Sequence, residues 1–514
     1  MLFERTISPL DFRQWLLLNK ENKRIFILSI TLILISFTWL KFKYPYPNFM
    51  PPDSYNYLET AYFNSYIGIW PIGYSKFLRF VSCFSKSHLI LVLIQYILLQ
   101  LSLLYFLFTF RYLISPGTWL FRILLFISLT NPLLPQIANS ISSDNLFLTL
   151  SLLWLTQLLW IIHQPSIKLI LLHTTIVLIA FTVRHNALFY PVISAIVIIF
   201  SNASKIHKWL GIGVMFTLLL SFISRTQYEY FVKTQTVQYS AFGGWQIAAN
   251  ALYGYAFADP ISEKKIPVKF RKVHNIVNHH MDSLRHLTLR PDQEVGIYYM
   301  WDYKSPLRIF MEQQWPKDST SFLKKWASMA PLYAKYGQYL IMQHPTQFCK
   351  NFIWSNIKNF YLPPSYFMGI YNMGGYTVEP IAMKWFGWKN KFIKKNTDSK
   401  YIIVANIFTL ITPVINILYI TSLLAFVALA GLKKCSPTCR KIIKYILIIW
   451  LSNSLFSILS APIELRYELF QIIISLVCSV TFISYIIQKM IIIQHTNTDA
   501  TTDNVVNNVN QIMS

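Results

Sequence analysis

Four charged residues sit at corners of a largely apolar chain. Asp53 lies in "MPPDSYNYLETAYF" (50–63), Asp144 in "NSISSDNLFLTLSLLWL" (139–155), Arg184 in "FTVRHNALFYPVISAI" (181–196) and Arg466 in "SAPIELRYELFQIII" (460–474). A carboxylate can take the proton from a hydroxyl nucleophile as the new bond forms. A guanidinium keeps its charge in a low-dielectric site and makes bidentate hydrogen bonds to phosphate or carboxylate. Each residue also has a plainer use. Asp53 follows Pro51 and Pro52, where an aspartate suits a turn. Asp144 suits the first turn of a helix that Ser142 or Ser143 caps. The two arginines can snorkel to lipid headgroups, and the 184–186 break can be a tight hairpin between spans. Glu464, two residues before Arg466, can pair with a neighbouring cation.

The elements that must hold these residues are membrane helices. Of 514 residues, 54% are hydrophobic and 13% charged, and the mean hydropathy is +0.41. Runs such as "IFILSITLILISFTWL" (25–40) and "YIIVANIFTLITPVINILYITSLLAFVALAG" (401–431) are long enough for a ~30 Å hydrocarbon core at ~1.5 Å per residue, and they lack a polar face. About ten spans are expected, near 25–42, 88–110, 118–135, 145–162, 168–183, 187–201, 208–224, 401–430, 442–460 and 467–488. Residues 1–24 are too long and too mixed for a signal-peptide n-region, so the first span is expected to remain as an anchor with 1–24 cytoplasmic. That orientation puts roughly fifteen Lys/Arg in the inside connections against roughly seven in the short outside ones. Asp53, Asp144, Arg184, Arg466 and the long 225–400 segment then share the outer face.

The organisation expected is a 25–224 membrane module whose first outer loop (43–87) carries Asp53, an extracytoplasmic 225–400 segment, C-terminal spans at 401–488, and a polar, disordered cytoplasmic tail at 489–514. Within the first loop, "YFNSYIGIWPIGYSKFLRFVSCFSK" (62–86) mixes aromatics and cations and reads as helices lying in the headgroup plane. The 225–400 segment is too long to be structureless. In it, "SAFGGWQIAANALYGYAF" (240–257) has a glycine break and an exposed-looking Trp245, and reads as a packing element beside the mouth of the site. "NFYLPPSYFMGIYNMGGY" (359–376) reads as an aromatic lid or lipid-contact loop. "VHNIVNHHMDS" (273–283) reads as polar surface, because adjacent histidines on a helix cannot both face one metal. The absence of an Asn-x-Ser/Thr sequon in 225–400 leans toward a bacterial envelope.

The net charge of +25 invites a nucleic-acid partner, yet no basic stretch is interleaved with a nucleic-acid motif, and anionic membrane lipids account for the charge. Five scattered cysteines give no disulfide framework, and Cys435 and Cys439 in "KKCSPTCRK" have no further ligand beside them for zinc.

Taken in order, "PPDSYNYLE", "SSDNLF", "RHNALFYP" and "SAPIELRYELF" resemble corners of the GT-C superfamily of integral-membrane glycosyltransferases, such as the protein O-mannosyltransferases and the aminoarabinose transferase of lipid A. The resemblance covers about 190 N-terminal residues plus the late corner. It implies an α-helical polytopic fold of about ten transmembrane helices with a large, mainly helical extracytoplasmic segment. It also implies a polyprenyl-phosphate-linked sugar donor, membrane lipids as surroundings, and an acceptor hydroxyl on lipid, glycan or protein. Transfer would invert the sugar, with Asp53 as base and Arg184 and Arg466 on the donor phosphate. Asp144, His185 and Trp245 are candidates for sugar or acceptor contact. No cofactor is implied, and the single aspartate in place of a doubled acidic motif does not support a divalent cation. Phe470 stands where the superfamily more usually has proline. The location implied is a bacterial inner membrane with the site facing outward. A transporter or lipid flippase, and an envelope polysaccharide polymerase or ligase, are the alternatives; no internal repeat favours the former. An O-acyltransferase would want a mid-bundle histidine, and His163 and His173 fall toward the cytoplasmic side.

Overall fold

In hydrocarbon every backbone N–H and C=O must find its partner within the protein, and a helix does this within one segment. The apolar runs accordingly form helices. The computed structural model describes residues 11–315, 320–397 and 399–512, and side chains as far as Gln494 apart from residue 493. The expected N-terminal segment is therefore described only from residue 11, and most of the side chains of the expected tail lie outside the description.

Among the described residues eight helices are long and apolar enough to cross a membrane: Lys20–Lys43, His88–Ile114, Thr118–Ala138, Ser143–His163, Lys205–Thr234, Ile403–Ala428, Pro437–Ser460 and Leu465–Ile492. The chain is a multi-pass α-helical membrane protein. The ten positions expected for spans all carry apolar helices: these eight, and two shorter ones, Ile167–Val183 and His185–Phe200. The polar break at Arg184 is the reason these two are shorter. It ends one helix and starts the next, so the apolar stretch is shared between two pieces.

Side chains pack in two cores. The larger one joins the membrane helices to the first loop, and it also takes in Met368, Tyr371, Trp385, Phe386 and Ile402. The smaller one gathers residues 241–352 with Ile67 and Ile69 of the first loop and Tyr230 at the end of the Lys205–Thr234 helix. Hence the first loop and the long segment lie on the same side of the bundle. Residues from 367 to 393 pack with the membrane module, although they fall inside the 225–400 segment of the sequence. The 205–234 helix also outruns its apolar stretch, because Tyr230 Oη donates to Gly68 O at 2.6 Å and is buried in the second core.

The second core is built on the Ala241–Tyr255 and Phe322–Gln343 helices. The glycine pair does not break the first of these. Gly244 faces the Ala330 backbone so closely that an added Cβ would lie 2.0 Å from its carbonyl oxygen. The Asp53–Tyr62 and Gly73–Ser82 helices are ten residues each, about 15 Å and too short to span. Tyr62, Phe63, Phe80 and Phe84 on and after them are exposed, with Lys76 and Arg79 on the second. Gly73 lets that second helix meet Thr182, two residues before Arg184, where a Cβ would lie 2.7 Å from the Thr182 carbonyl carbon.

Candidate functional site

Asp53 is the first residue of its helix. The N-cap position is Pro52, and no side chain caps the helix, so the carboxylate is free for other partners. The turn before it is tied to the second corner. Asn48 N donates to Asn139 O (2.9 Å), Ile141 N donates to Asn48 O (3.0 Å), and Ser54 Oγ donates to Ile141 O (2.7 Å). These bonds place Asp53 beside Asp144 across ninety residues of chain. Ser142 is the cap of the Ser143–His163 helix, and its hydroxyl also donates to Asp144 Oδ2 at 2.9 Å.

Arg184 ends the Ile167–Val183 helix in extended backbone, which throws its side chain toward Asp144 Oδ1, with which it pairs. Arg466 is the second residue of the Leu465–Ile512 helix, whose first N–H is held by Pro364 O at 2.9 Å. Its guanidinium is the hub of the cluster. Nη1 lies 3.2 Å from Asp53 Oδ2 and 3.4 Å from Asp144 Oδ2, Nε donates to Glu464 Oε2 at 2.9 Å, and Nη2 donates to Tyr467 Oη at 2.6 Å. Phe367, from the aromatic 359–376 loop, lies 5.0 Å over the guanidinium, and the Tyr467 ring lies 4.7 Å from both arginines.

Three carboxylates thus face two guanidiniums, an excess of one negative charge if all are ionised. Two features offset it. Asp53, Asp144 and Arg466 all sit in the first turn of a helix, so three N-terminal positive dipole ends converge on the cluster. Burial also pushes the Glu464 carboxyl above the usual range, with Arg466 opposing. Burial likewise pushes the Tyr57 phenol up to about 12, leaving it a neutral hydrogen-bonding group 3.0 Å from Ser143 Oγ.

Beside the cluster is a cleft lined by Asp144, Phe147, Arg184, Asn186, Asn453, Arg466 and Tyr467, among others. Exposure differs within the cluster: the side chains of Asp53 and Arg184 are 20% and 17% accessible, against 5% for Arg466 and 2% for Asp144. Of the two arginines lining the cleft, Arg184 is therefore the more accessible to a ligand; Asp53 lies behind them, paired with Arg466.

Of the residues singled out in the sequence, Asp53, Asp144, Arg184 and Arg466 come together, with Glu464 as a fourth-side partner of Arg466. His185 turns away, its ring against Tyr239 (5.7 Å) and Phe242 (6.5 Å). Trp245 is not exposed. It is fully buried, stacked 3.8 Å from Trp326 with its indole N–H on Trp326 O at 2.9 Å, and it is not among the residues lining the cleft beside the cluster. In the histidine tract, His274 is buried on Tyr336 Oη (2.9 Å) and Ile261 O (3.0 Å), while His280 meets Tyr298 Oη at 3.0 Å. Among the described residues no group of three His, Cys, Asp or Glu is arranged to hold a metal ion. Tyr467, Phe367 and Asn453 were not singled out. Tyr467 had a local signal, its place beside Arg466; the other two reach the site only through tertiary packing.

Fold and site define a multi-pass membrane protein with a buried acid–arginine cluster at one end of its bundle. Compared with family models, curated proteins and solved structures, the chain matches none.

Proposed function

We propose that the protein is an integral-membrane glycosyltransferase of the GT-C type that moves a sugar from a polyprenyl-phosphate carrier to an acceptor hydroxyl on the outer face of the membrane. The observation that supports this is the meeting of Asp53, Asp144, Arg184 and Arg466, from four separate corners, beside one cleft. Asp53 accepts the acceptor's proton as the acceptor oxygen attacks the anomeric carbon. The bond from that carbon to the phosphate oxygen breaks, the electron pair leaves with the phosphate, and the configuration inverts. Arg184 holds the departing phosphate. Among the described residues it has one ion-pair partner, Asp144, so a phosphate entering the cleft exchanges for a single carboxylate, and Asp144 keeps Ser142 and Arg466. Arg466, with three carboxylates, orients Asp53 and Asp144 and supplies positive potential. The outward orientation and a full set of ten membrane segments, counting the two short helices, belong to this assignment.

The test is a transfer assay on purified protein with polyprenyl-phosphate sugars. Asp53→Asn, nearly isosteric, should lower the rate about 10²–10⁴-fold with donor binding retained. Unchanged transfer by folded Asp53→Asn protein sinks the proposal.

A further inference from the structure

The outer side of the first loop brings cations and aromatic rings together at the level where membrane helices end. On the Gly73–Ser82 helix the buried side chains Tyr74, Ser75, Leu78 and Val81 mark the inner face. Lys76, Arg79, Phe80 and, just past the helix, Cys83 fall on the opposite one, the last three exposed. This short helix meets Thr182 at the end of the Ile167–Val183 helix. The Lys205–Thr234 helix reaches the same loop, where Tyr230 Oη donates to Gly68 O. Its apolar stretch stops at Ser224, so Arg225 and Lys233 lie beyond it. Tyr66 joins the two helices: Lys76 Nζ lies 4.8 Å from its ring centroid and the Arg225 guanidinium 5.4 Å.

The cations here outnumber the carboxylates within reach. Glu229 pairs with Arg225 at 2.7 Å, and among the described residues Lys76, Arg79 and Lys233 have no ion-pair partner. Neutral oxygens hold two of them: Lys76 Nζ donates to Asn64 Oδ1 at 2.8 Å and Arg79 Nη1 to Ala61 O at 3.3 Å. Burial, and then the charges of Arg79 and Lys233, pull the Lys76 ammonium below its usual range, so an anion between these groups would relieve their repulsion. Beside them Phe63, Phe80 and Phe84 are exposed. Phenyl rings next to cations suit the boundary between headgroups and acyl chains. A free phosphate would satisfy the cations and leave the rings in water. A phospholipid offers phosphate to the first and acyl chain to the second. A choline headgroup adds an ammonium of its own, whereas a headgroup with net negative charge does not.

We infer that Lys76, Arg79, Arg225 and Lys233, with the exposed phenylalanines beside them, form a docking surface for the headgroup of an anionic phospholipid of the bilayer. This surface makes no use of the proposed transfer reaction.

The experiment uses the full chain in phosphatidylcholine nanodiscs, with Cys349→Ser so that Cys83 is the one exposed cysteine and carries a fluorophore. A small fraction of the lipid bears a nitroxide quencher near its headgroup, on phosphatidylglycerol in one sample and on phosphatidylcholine in the other. Quenching should show phosphatidylglycerol enriched at Cys83 about fivefold or more, which is what one basic residue near an anionic surface contributes. The Lys76→Gln, Arg79→Gln, Lys233→Gln variant should bring the two lipids to within about twofold of each other. Lys433→Gln, Lys434→Gln, Lys441→Gln removes three exposed lysines from another loop and should leave the enrichment in place. If the first variant does not fold, Lys233→Gln alone, at an exposed side chain, should lower the enrichment about twofold or more. Equal quenching by the two lipids, enrichment unchanged in the patch variant, or equal loss in both triple variants overturns the inference. So does loss on adding inorganic phosphate at an ionic strength where sodium chloride spares the enrichment. No turnover enters this readout, so a failed transfer assay leaves it standing, and its failure leaves the transfer chemistry untouched.

Discussion

At the scale of single residues the two arginines divide the work unequally. Both line the cleft, but Arg466 is nearly inaccessible and holds three carboxylates, whereas Arg184 is more accessible and holds one. Removing one member of a buried ionic group leaves its partners uncompensated, at a cost of about 3–5 kcal/mol. Arg466→Ala strands Glu464 entirely and Asp53 of its cation, so it should lower the thermal midpoint sharply and yield little folded protein. Arg184→Ala leaves Asp144 its bonds to Ser142 and Arg466, so the protein should fold near the wild-type midpoint. It should nonetheless lose transfer by about 10²-fold or more, by analogy with loss of one group that stabilises developing negative charge. Thermal scans and donor titrations on the two variants separate these outcomes. Equal losses of stability from both substitutions would show that the two guanidiniums are interchangeable.

At the scale of elements, the helix pair of the second core depends on backbone contact. A methyl at Gly244 points into the Ala330 peptide, which cannot yield as a flexible side chain would. Gly244→Ala should therefore lower the unfolding midpoint, as overpacking costs typically about 1–3 kcal/mol. In the same core burial lowers the pKa of His274, against weaker opposing effects of Ile261 O and Glu263. A histidine whose folded pKa is depressed contributes its full stability above the unfolded pKa of about 6.5 and loses it as pH falls below that. Thermal scans from pH 7.5 to 5 should show the midpoint dropping, and a His274→Gln variant should show a shallower drop. The elements differ in how far the sequence revealed them. The membrane-length helices are legible because apolar runs have one solution in hydrocarbon. Ser142 as a cap and the helical first loop are legible from local chemistry. Trp245 was misread because glycine beside tryptophan marks a break or a surface equally well as close helix packing. The division of 225–400 was hidden because which core an aromatic joins depends on partners far away in the chain, such as Tyr46, whose carbonyl accepts from Tyr371 Oη at 3.0 Å.

At the scale of the whole molecule, the two cores meet where the site is made. The turn that delivers Glu464 and Arg466 is clamped by two asparagines from the long segment. Asn356 Nδ2 donates to Ile458 O and Ala461 O, both at 2.9 Å, and its Oδ1 accepts from Ile463 N at 3.3 Å. Asn250, on the Ala241–Tyr255 helix, donates to Ser460 O at 3.0 Å. Neither side chain touches the cluster, yet together they fix the backbone from which Arg466 reaches Asp53. Each substitution by alanine unpairs buried backbone groups, at about 1–3 kcal/mol per group left unsatisfied. Because both act on one short segment, their effects should not add. The expected result is that Asn250→Ala, Asn356→Ala and the double variant lower transfer in that order, with the double variant departing from the product of the singles. Arg466→Lys makes a useful background, since an ammonium cannot reproduce the fork that spans Asp53, Asp144 and Glu464. There the asparagine substitutions should cost little more activity, as the geometry they protect is already lost. Full activity in the folded double variant would show that the long segment merely sits beside the bundle and does not position its chemistry.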